Sequence, residues 1–334
     1  MQQEELELMS HIHHCYGYDI DLFERIDRGS ADLYKIVTNK GLFVVKYNLV
    51  NHTKEKIALD IAICNHLRNN GINTPEYMPS LEGHYYTIFH ERIYTISKYI
   101  HGVTLKDNMA SQKQLTQSSF FYAKILDGLK DYTGSIPKFN YDIFTKESLK
   151  KTIHCLENYI NIKDDNISFI CKQQKNLLER CINFNLSSLY NLTVKRSHGD
   201  YTQSQFIYNE YGDIEAIVDF LSTKELPISY ELFRSFINQV RSYNENTGSF
   251  EINDLVHYIS VFRQYHSLSC IDISSMPLVY LVISLQNTFY LELIVANRST
   301  QDAFNLWMKL IKQCVYISTN YEKIVRKLST QLLC

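Results

Sequence analysis

The stretch from Val194 to Phe220 constrains this chain more than any other. It reads Val194-Lys-Arg-Ser-His-Gly-Asp200, then a strand-like Gln205-Phe-Ile-Tyr208. A turn, Asn209-Glu-Tyr-Gly-Asp213, leads into the apolar run Ile214-Glu-Ala-Ile-Val-Asp-Phe220. β-Branched and aromatic residues on both sides of a glycine-containing turn predict a hairpin. The flanking sequence carries helical spacing, so the hairpin is set inside a helical region. Its second strand ends in a carboxylate, Asp219. A bare carboxylate is costly to bury, and a divalent cation is one way to neutralise it. Capping of the following segment is the other reading.

The first hundred residues have a different texture. Residues 1–18 predict a short leading helix that closes near Gly17. Arg28-Gly29-Ser30 predicts a turn, and Leu33–Thr38 and Leu42–Tyr47 predict a hairpin around Asn39-Lys40-Gly41. From Lys54 to Asn70 the residues Ile57, Asp60, Ile61, Cys64 and Leu67 recur at helical spacing. Asn70-Gly71 supplies a C-terminal stop. Two more strands are expected over Tyr85–Phe89 and Arg92–Ile100, before a break at Gly102. From about Leu105 the pattern is mostly helical and ends in one long helix from about Gln301 to Leu333. The expectation is an α+β chain in two lobes, 1–100 and 101–334, with a ligand held in the cleft between them.

Composition narrows the function classes. The chain has 334 residues, 45% hydrophobic and 21% charged, which is ordinary for a packed globular protein. A formal net charge of −2 argues against a nucleic-acid partner. Its 25 Tyr and 17 Phe lack an interleaved basic stripe, so they read as core rather than as a base-stacking platform. None of the eight cysteines forms a CxxC pair, and a reducing cytoplasm is the simplest setting. An acidic start without an apolar run argues against a signal peptide. The run Pro277–Ala296, interrupted by Gln286, Asn287 and Glu292, reads as a buried or amphipathic helix rather than a membrane span. His11-Ile-His-His-Cys15 resembles a metal cluster, but a surface helix is the expected reading, since no matching distant pair of ligands is evident. The oligomeric state is left open.

Three positions far apart in sequence fit one task. Lys46 ends the strand Phe43-Val-Val-Lys, where an ammonium can meet a nucleotide's phosphates. Asp200 lies on the His198-Gly199-Asp200 loop, where a carboxylate can accept a hydroxyl proton. Asp219 is the carboxylate at the hairpin end. Each alone is a weak signal.

In order, a strand lysine, a helix with an acid, a hinge strand, a His-Gly-Asp loop, a hairpin and a strand ending Asp-Phe resemble the aminoglycoside phosphotransferase and choline kinase family. These are small-molecule kinases of the bilobal protein-kinase-like fold. The resemblance covers roughly residues 20–240. Ser197-His-Gly-Asp-Tyr-Thr-Gln-Ser-Gln-Phe-Ile-Tyr208 and Ala216-Ile-Val-Asp-Phe220 are its most specific parts, with Tyr230-Glu231-Leu232 matching the helix that follows. It implies that ATP, or GTP, and Mg²⁺ are the cofactors and that a hydroxyl of a small molecule is the acceptor. It assigns Lys46 to the α- and β-phosphates, Asp200 to the role of base, and Asp219 to the metal. Gly29 and Ser30 would belong to the phosphate-covering turn, and the segment Ser97–Ile100, with Ser97 and Tyr99, to an adenine-binding hinge. His198 would brace the loop. Two positions depart from the family pattern. Gln205 stands where an asparagine is usual as second metal ligand, and Asp60 where a glutamate usually pairs with the lysine, with Glu55 as an alternative on another helical face. Those departures are the basis of a competing reading, a nucleotide-binding scaffold without transfer activity. Glu225 and Glu231 are candidates for receiving a cationic substrate.

Overall fold

Alternation of burial along two strands builds the first part of the molecule. A computed structural model describes residues 3–26, 31–48, 52–160, 164–296 and 300–332. In β2 (Asp32–Thr38) and β3 (Gly41–Tyr47), Tyr34, Ile36, Phe43, Val45 and Tyr47 are buried and the residues between them are half-buried. That period of two puts one face of the hairpin into a core. β2 and β3 pair antiparallel from Asp32–Tyr47 to Thr38–Gly41. β1 (Ile20–Ile26) adds outside β2, while β5 (Arg92–Lys98) adds beside β3 and carries β4 (Thr87–Phe89). The resulting five-stranded sheet has the order β1-β2-β3-β5-β4. Helix α1 (Gln3–Tyr16) lays Leu8, Ile12 and Tyr16 against the apolar face. The pattern of the first strand is weak because its burial does not alternate, so the sequence did not announce it.

Helix α2 (Lys54–Asn69) follows the predicted spacing. Its Ile57, Ile61, Cys64 and Leu67 pack into the larger core, together with the helices that follow. Those helices are α3 (Gln112–Gly128), α4 (Lys146–Ile160), α5 (Asp165–Ile182), α6 (Ile228–Gln239), α7 (Ile252–Arg263), α8 (Cys270–Ser274), α9 (Met276–Leu285), α10 (Phe289–Val295), α11 (Thr300–Thr319) and α12 (Tyr321–Leu332). Between α5 and α6 lie four short strands: β6 (Val194–Ser197) pairs with β9 (Lys224–Pro227), and β7 (Phe206–Tyr208) with β8 (Ile214–Ile217). This is the mixed architecture expected from the sequence, an antiparallel sheet followed by a mainly helical part with an embedded hairpin.

Two expectations are corrected. The long final helix is divided at Asn320, whose side-chain amide donates to the Tyr316 carbonyl at 3.0 Å. A side chain that takes a backbone carbonyl competes with helix continuation. The apolar run is also divided, by a turn at residues 286–288. Residues 276–295 are long and apolar enough to span a membrane by composition, yet every α9 residue except Ile283 is buried in the protein. It is a core helix.

Candidate active site

Strand alternation aims Lys46 away from the α1 core, on the face opposite Val45 and Tyr47. There its Nζ donates to Asp219 Oδ1 at 2.7 Å, across 173 residues of sequence. Burial acts to lower the lysine's pKa, but Asp219 and then Asp60 outweigh it and the pKa is raised. Burial likewise acts against ionisation of Asp219, and Lys46 outweighs it, so that carboxyl is held below its ordinary value. Both partners are charged, each because of the other.

Asp219 has φ +65° and ψ +65°, the left-handed region that a side chain with a Cβ occupies at a cost of about 1–3 kcal/mol. It occupies the cap position of the short 3₁₀ turn Phe220–Ser222, but its carboxylate makes no capping bond. The capping reading is thus displaced: the strained backbone turns the carboxylate to Lys46.

The expected Lys46–Asp60 ion pair is not formed. Asp60, fully buried on α2, accepts the Tyr77 hydroxyl at 2.5 Å and the Phe220 amide at 2.8 Å. Burial raises its pKa despite the nearby ammonium. The shorter arm of aspartate fits this position, because the atom it must reach is the backbone nitrogen directly after Asp219. Asp60 thereby ties α2 to the Asp219 turn. Glu55 lies on the exposed first turn of α2.

The Asp200 loop is fixed from several sides. Gly199 has φ +82°, and a Cβ there would lie 1.8 Å from the Ser222 carbonyl oxygen, so only glycine fits. His198 is fully buried and tilted against the Phe220 ring at 4.4 Å between centroids. Its Nε2 faces the Val218 carbonyl at 3.1 Å and its Nδ1 accepts the Asp200 amide at 3.3 Å, partners that select the tautomer protonated on Nε2. His198 thus joins the Asp200 loop to the Asp219 strand. Glu231 on α6 is buried and accepts the Tyr201 amide at 3.2 Å and the Ser197 hydroxyl. It is a brace, and the expectation that it receives a cationic substrate is corrected. Glu225 is taken by Lys138 at 2.6 Å.

Asp200 itself is held by two groups. Arg234 Nη2 donates to Oδ1 at 2.5 Å, and Gln205 Nε2 donates to Oδ2 at 3.2 Å. The sequence did not single out Arg234. Its signal was spacing: it lies three residues after Glu231 on α6, and residues three apart share a helix face. The guanidinium's pKa is raised, Asp200 outweighing the effect of burial.

At the hinge, Ser97 pairs with Val44 and bridges to Tyr77. The Lys98 amide donates to the Glu76 carbonyl at 2.9 Å and the Tyr99 amide to the Leu42 carbonyl at 3.1 Å. Those two N–H groups are therefore engaged by the protein's own backbone. Gly29 and Ser30 lie outside the described residues.

The groups around Asp219 suit a hard cation. Asp219 has one oxygen on Lys46 and a side chain that remains 38% exposed, and Gln205, donating through its nitrogen, keeps its amide oxygen as an acceptor. Mg²⁺ takes one or two carboxylates and completes its shell with phosphate oxygens and water. Among the described residues no group of three or more His, Cys, Asp or Glu could hold a metal unaided.

No family model matches the chain, and no curated protein matches it in sequence. Solved structures do match in shape. Spectinomycin phosphotransferase APH(9)-Ia, in complex with ADP and spectinomycin, superposes with a TM-score of 0.66 at 14% identity, covering 93% of this chain and 97% of that one. The microcompartment-associated aminopropanol kinase gives 0.66 at 10% identity, covering 97% and 99%. Choline kinase LicA from Streptococcus pneumoniae gives 0.56 at 15% identity, covering 98% and 100%. The chain has the bilobal fold of these small-molecule kinases over almost its whole length.

Proposed function

We propose that this protein is an ATP-dependent phosphotransferase that moves the γ-phosphoryl group to a hydroxyl of a small molecule. The observation that supports it best is the convergence of Lys46, Asp219 and Asp200, from a sheet strand, a hairpin end and a loop, on a fold shared with small-molecule kinases. Residues 1–100 form the nucleotide lobe in this reading and 101–334 the acceptor lobe. Lys46 would turn its ammonium from Asp219 to the nucleotide phosphates, and Asp219, with the Gln205 amide oxygen, would hold Mg²⁺. The metal supplies charge neutralisation on the phosphates. Asp200 orients the acceptor hydroxyl and takes its proton, while His198 and Glu231 keep the loop in place. Ser97, Tyr99 and their neighbours bound the adenine pocket, and Asp60 holds the Asp219 turn.

Gln205 and Arg234 support a second reading, a nucleotide-binding scaffold, because both occupy the oxygens that a base needs free. Asp200→Asn separates the two readings. General-base catalysis is worth on the order of 10²–10⁴-fold. ADP formation in the presence of acceptor should fall by that factor while nucleotide affinity is kept. A variant that turns over like wild type would remove Asp200 from the mechanism.

A further inference from the structure

We propose that α7 and α12 form a second binding site, made of residues other than Lys46, Asp200 and Asp219, and that it takes a phosphate monoester. The site stands independently of the phosphotransfer reading. Between the start of α7 and the outer face of α12 lies a recess of about 400 Å³. Three cations of α12 line it: Lys323, Arg326 and Lys327. Residues three and four apart are neighbours on a helix, so one face presents all three, and like charges at that spacing work against the helix. Packing does not call for them, because α12 is held by Ile324, Leu328 and Leu332, which are buried in the larger core. Among the described residues none of the three cations has an ion-pair partner, although Glu251 lines the same recess and Glu322 precedes them on the same helix. Lysines on other surface helices do have such partners, Lys113 with Asp213 and Lys175 with Glu157.

The charge of the recess selects the ligand. Three cations and the one carboxylate of Glu251 leave two positive charges. A phosphate monoester carries about −1.5 to −2 at pH 7, whereas a carboxylate or sulfonate carries one charge only. The Arg326 fork suits phosphate oxygens, and the two ammonium groups add point charges beside it. The opposite wall supplies donors without charge. Glu251 makes no side-chain capping bond to α7, and its own amide donates to the Ser242 hydroxyl at 3.2 Å. The first amides of α7 are thus left to another acceptor. A helix start alone would not define a site; here it faces the three cations across the recess. A recess of this size also holds an organic body. Its floor is apolar: Phe250 and Ile252 are buried, and the Tyr316 ring meets Phe250 edge-on at 5.1 Å. The Tyr316 hydroxyl donates to the Phe250 carbonyl at 3.0 Å, so Tyr316 offers its ring to the ligand.

The test is calorimetric titration of the full chain, without nucleotide or divalent metal, using phenyl phosphate, benzenesulfonate and phenol, which share a body and differ in charge. Phenyl phosphate should bind saturably, benzenesulfonate more weakly and phenol not measurably. A charge-assisted contact is worth roughly tenfold or more in affinity. Arg326→Gln should therefore weaken phenyl phosphate by at least about tenfold, and so should Lys323→Gln combined with Lys327→Gln. Arg326 and Lys323 are exposed and Lys327 is half-buried, so these variants keep the core intact. Lys46→Ala should bind phenyl phosphate as wild type does, which separates this site from the nucleotide site. Sedimentation with phosphatidylcholine vesicles, with and without phosphatidic acid, tells a lipid monoester from a soluble one: retention by phosphatidic acid that Arg326→Gln abolishes assigns the site to a lipid headgroup, and no retention assigns it to a soluble ester. No saturable binding of phenyl phosphate at millimolar concentration, benzenesulfonate or phenol binding as tightly, undiminished binding in the α12 variants, or loss of binding in Lys46→Ala would each overturn the assignment.

Discussion

Individual residues here are decided by what their neighbours leave unsatisfied. Asp60 illustrates this best. Among the described residues, its carboxylate is the acceptor for both the Phe220 amide and the Tyr77 hydroxyl, both buried. Asp60→Ala should cost about 1–3 kcal/mol through those orphaned donors, whereas Asp60→Asn, which keeps an acceptor oxygen, should cost clearly less. Urea unfolding of the two variants checks this, and equal losses would show that the charge rather than the hydrogen bonds matters. Gly199 makes the complementary case. Gly199→Ala places a methyl against the Ser222 carbonyl in a left-handed backbone, so a loss of at least about 1–3 kcal/mol is expected. An unchanged unfolding midpoint would mean that the Asp200 loop is not fixed as described. At this scale the sequence was legible where chemistry and position coincide: Lys46, Asp200 and Asp219 could be chosen because a strand end or a tight loop constrains what a charged residue there can do. The partner of Lys46 was not legible. Pairing was assigned to Asp60 by its place on α2, and only the fold shows that Tyr77 and Phe220 reach that carboxylate first. Arg234 was missed for the same reason, since its importance lies in a contact with a residue 34 positions earlier.

Elements carry these residues into register, and their ends are set by local chemistry. Helix α3 begins with a capping box, in which Ser111 accepts the Gln114 amide and Gln114 accepts the Ser111 amide. From α3, Tyr122 reaches Ser197 at 2.9 Å and the Ser118 carbonyl accepts Tyr201 at 2.8 Å, so the helix flanks the Asp200 loop on both sides. Ser111→Ala should lower stability by about 1 kcal/mol, measured by chemical denaturation. A loss of no more than a few tenths of a kcal/mol would show that the start of α3 is held by packing alone. Element types were readable because the period of two in β2 and β3 and the helical period in α2 are strong. The boundary at Asn320 was not, because the helical pattern of Gln301–Leu333 continues through it and the interruption depends on one side chain turning back to Tyr316. The strand β9 was also missed: it is four residues long and exists only by pairing with β6.

The whole molecule brings a sheet strand, a helix and a loop of the helical part to the Asp219 turn, and its order of elements was the part of the fold that the sequence announced most plainly. The small first core and the larger second core are separate clusters, with α2 packed into the second. Asp60 therefore couples the helical core to the Asp219 turn, and Lys46 couples the sheet to it. The most direct test of the central claim is the melting temperature of the protein with Mg²⁺ and ATP against Mg²⁺ alone, in wild type, Lys46→Ala and Asp219→Asn. A ligand that binds only the folded state stabilises it by about 2.7 kcal/mol at a hundred times its dissociation constant. A rise of several degrees in wild type that is lost in both variants is the predicted result. No rise at millimolar nucleotide, or the same rise in all three proteins, would contradict a nucleotide site built on Lys46 and Asp219.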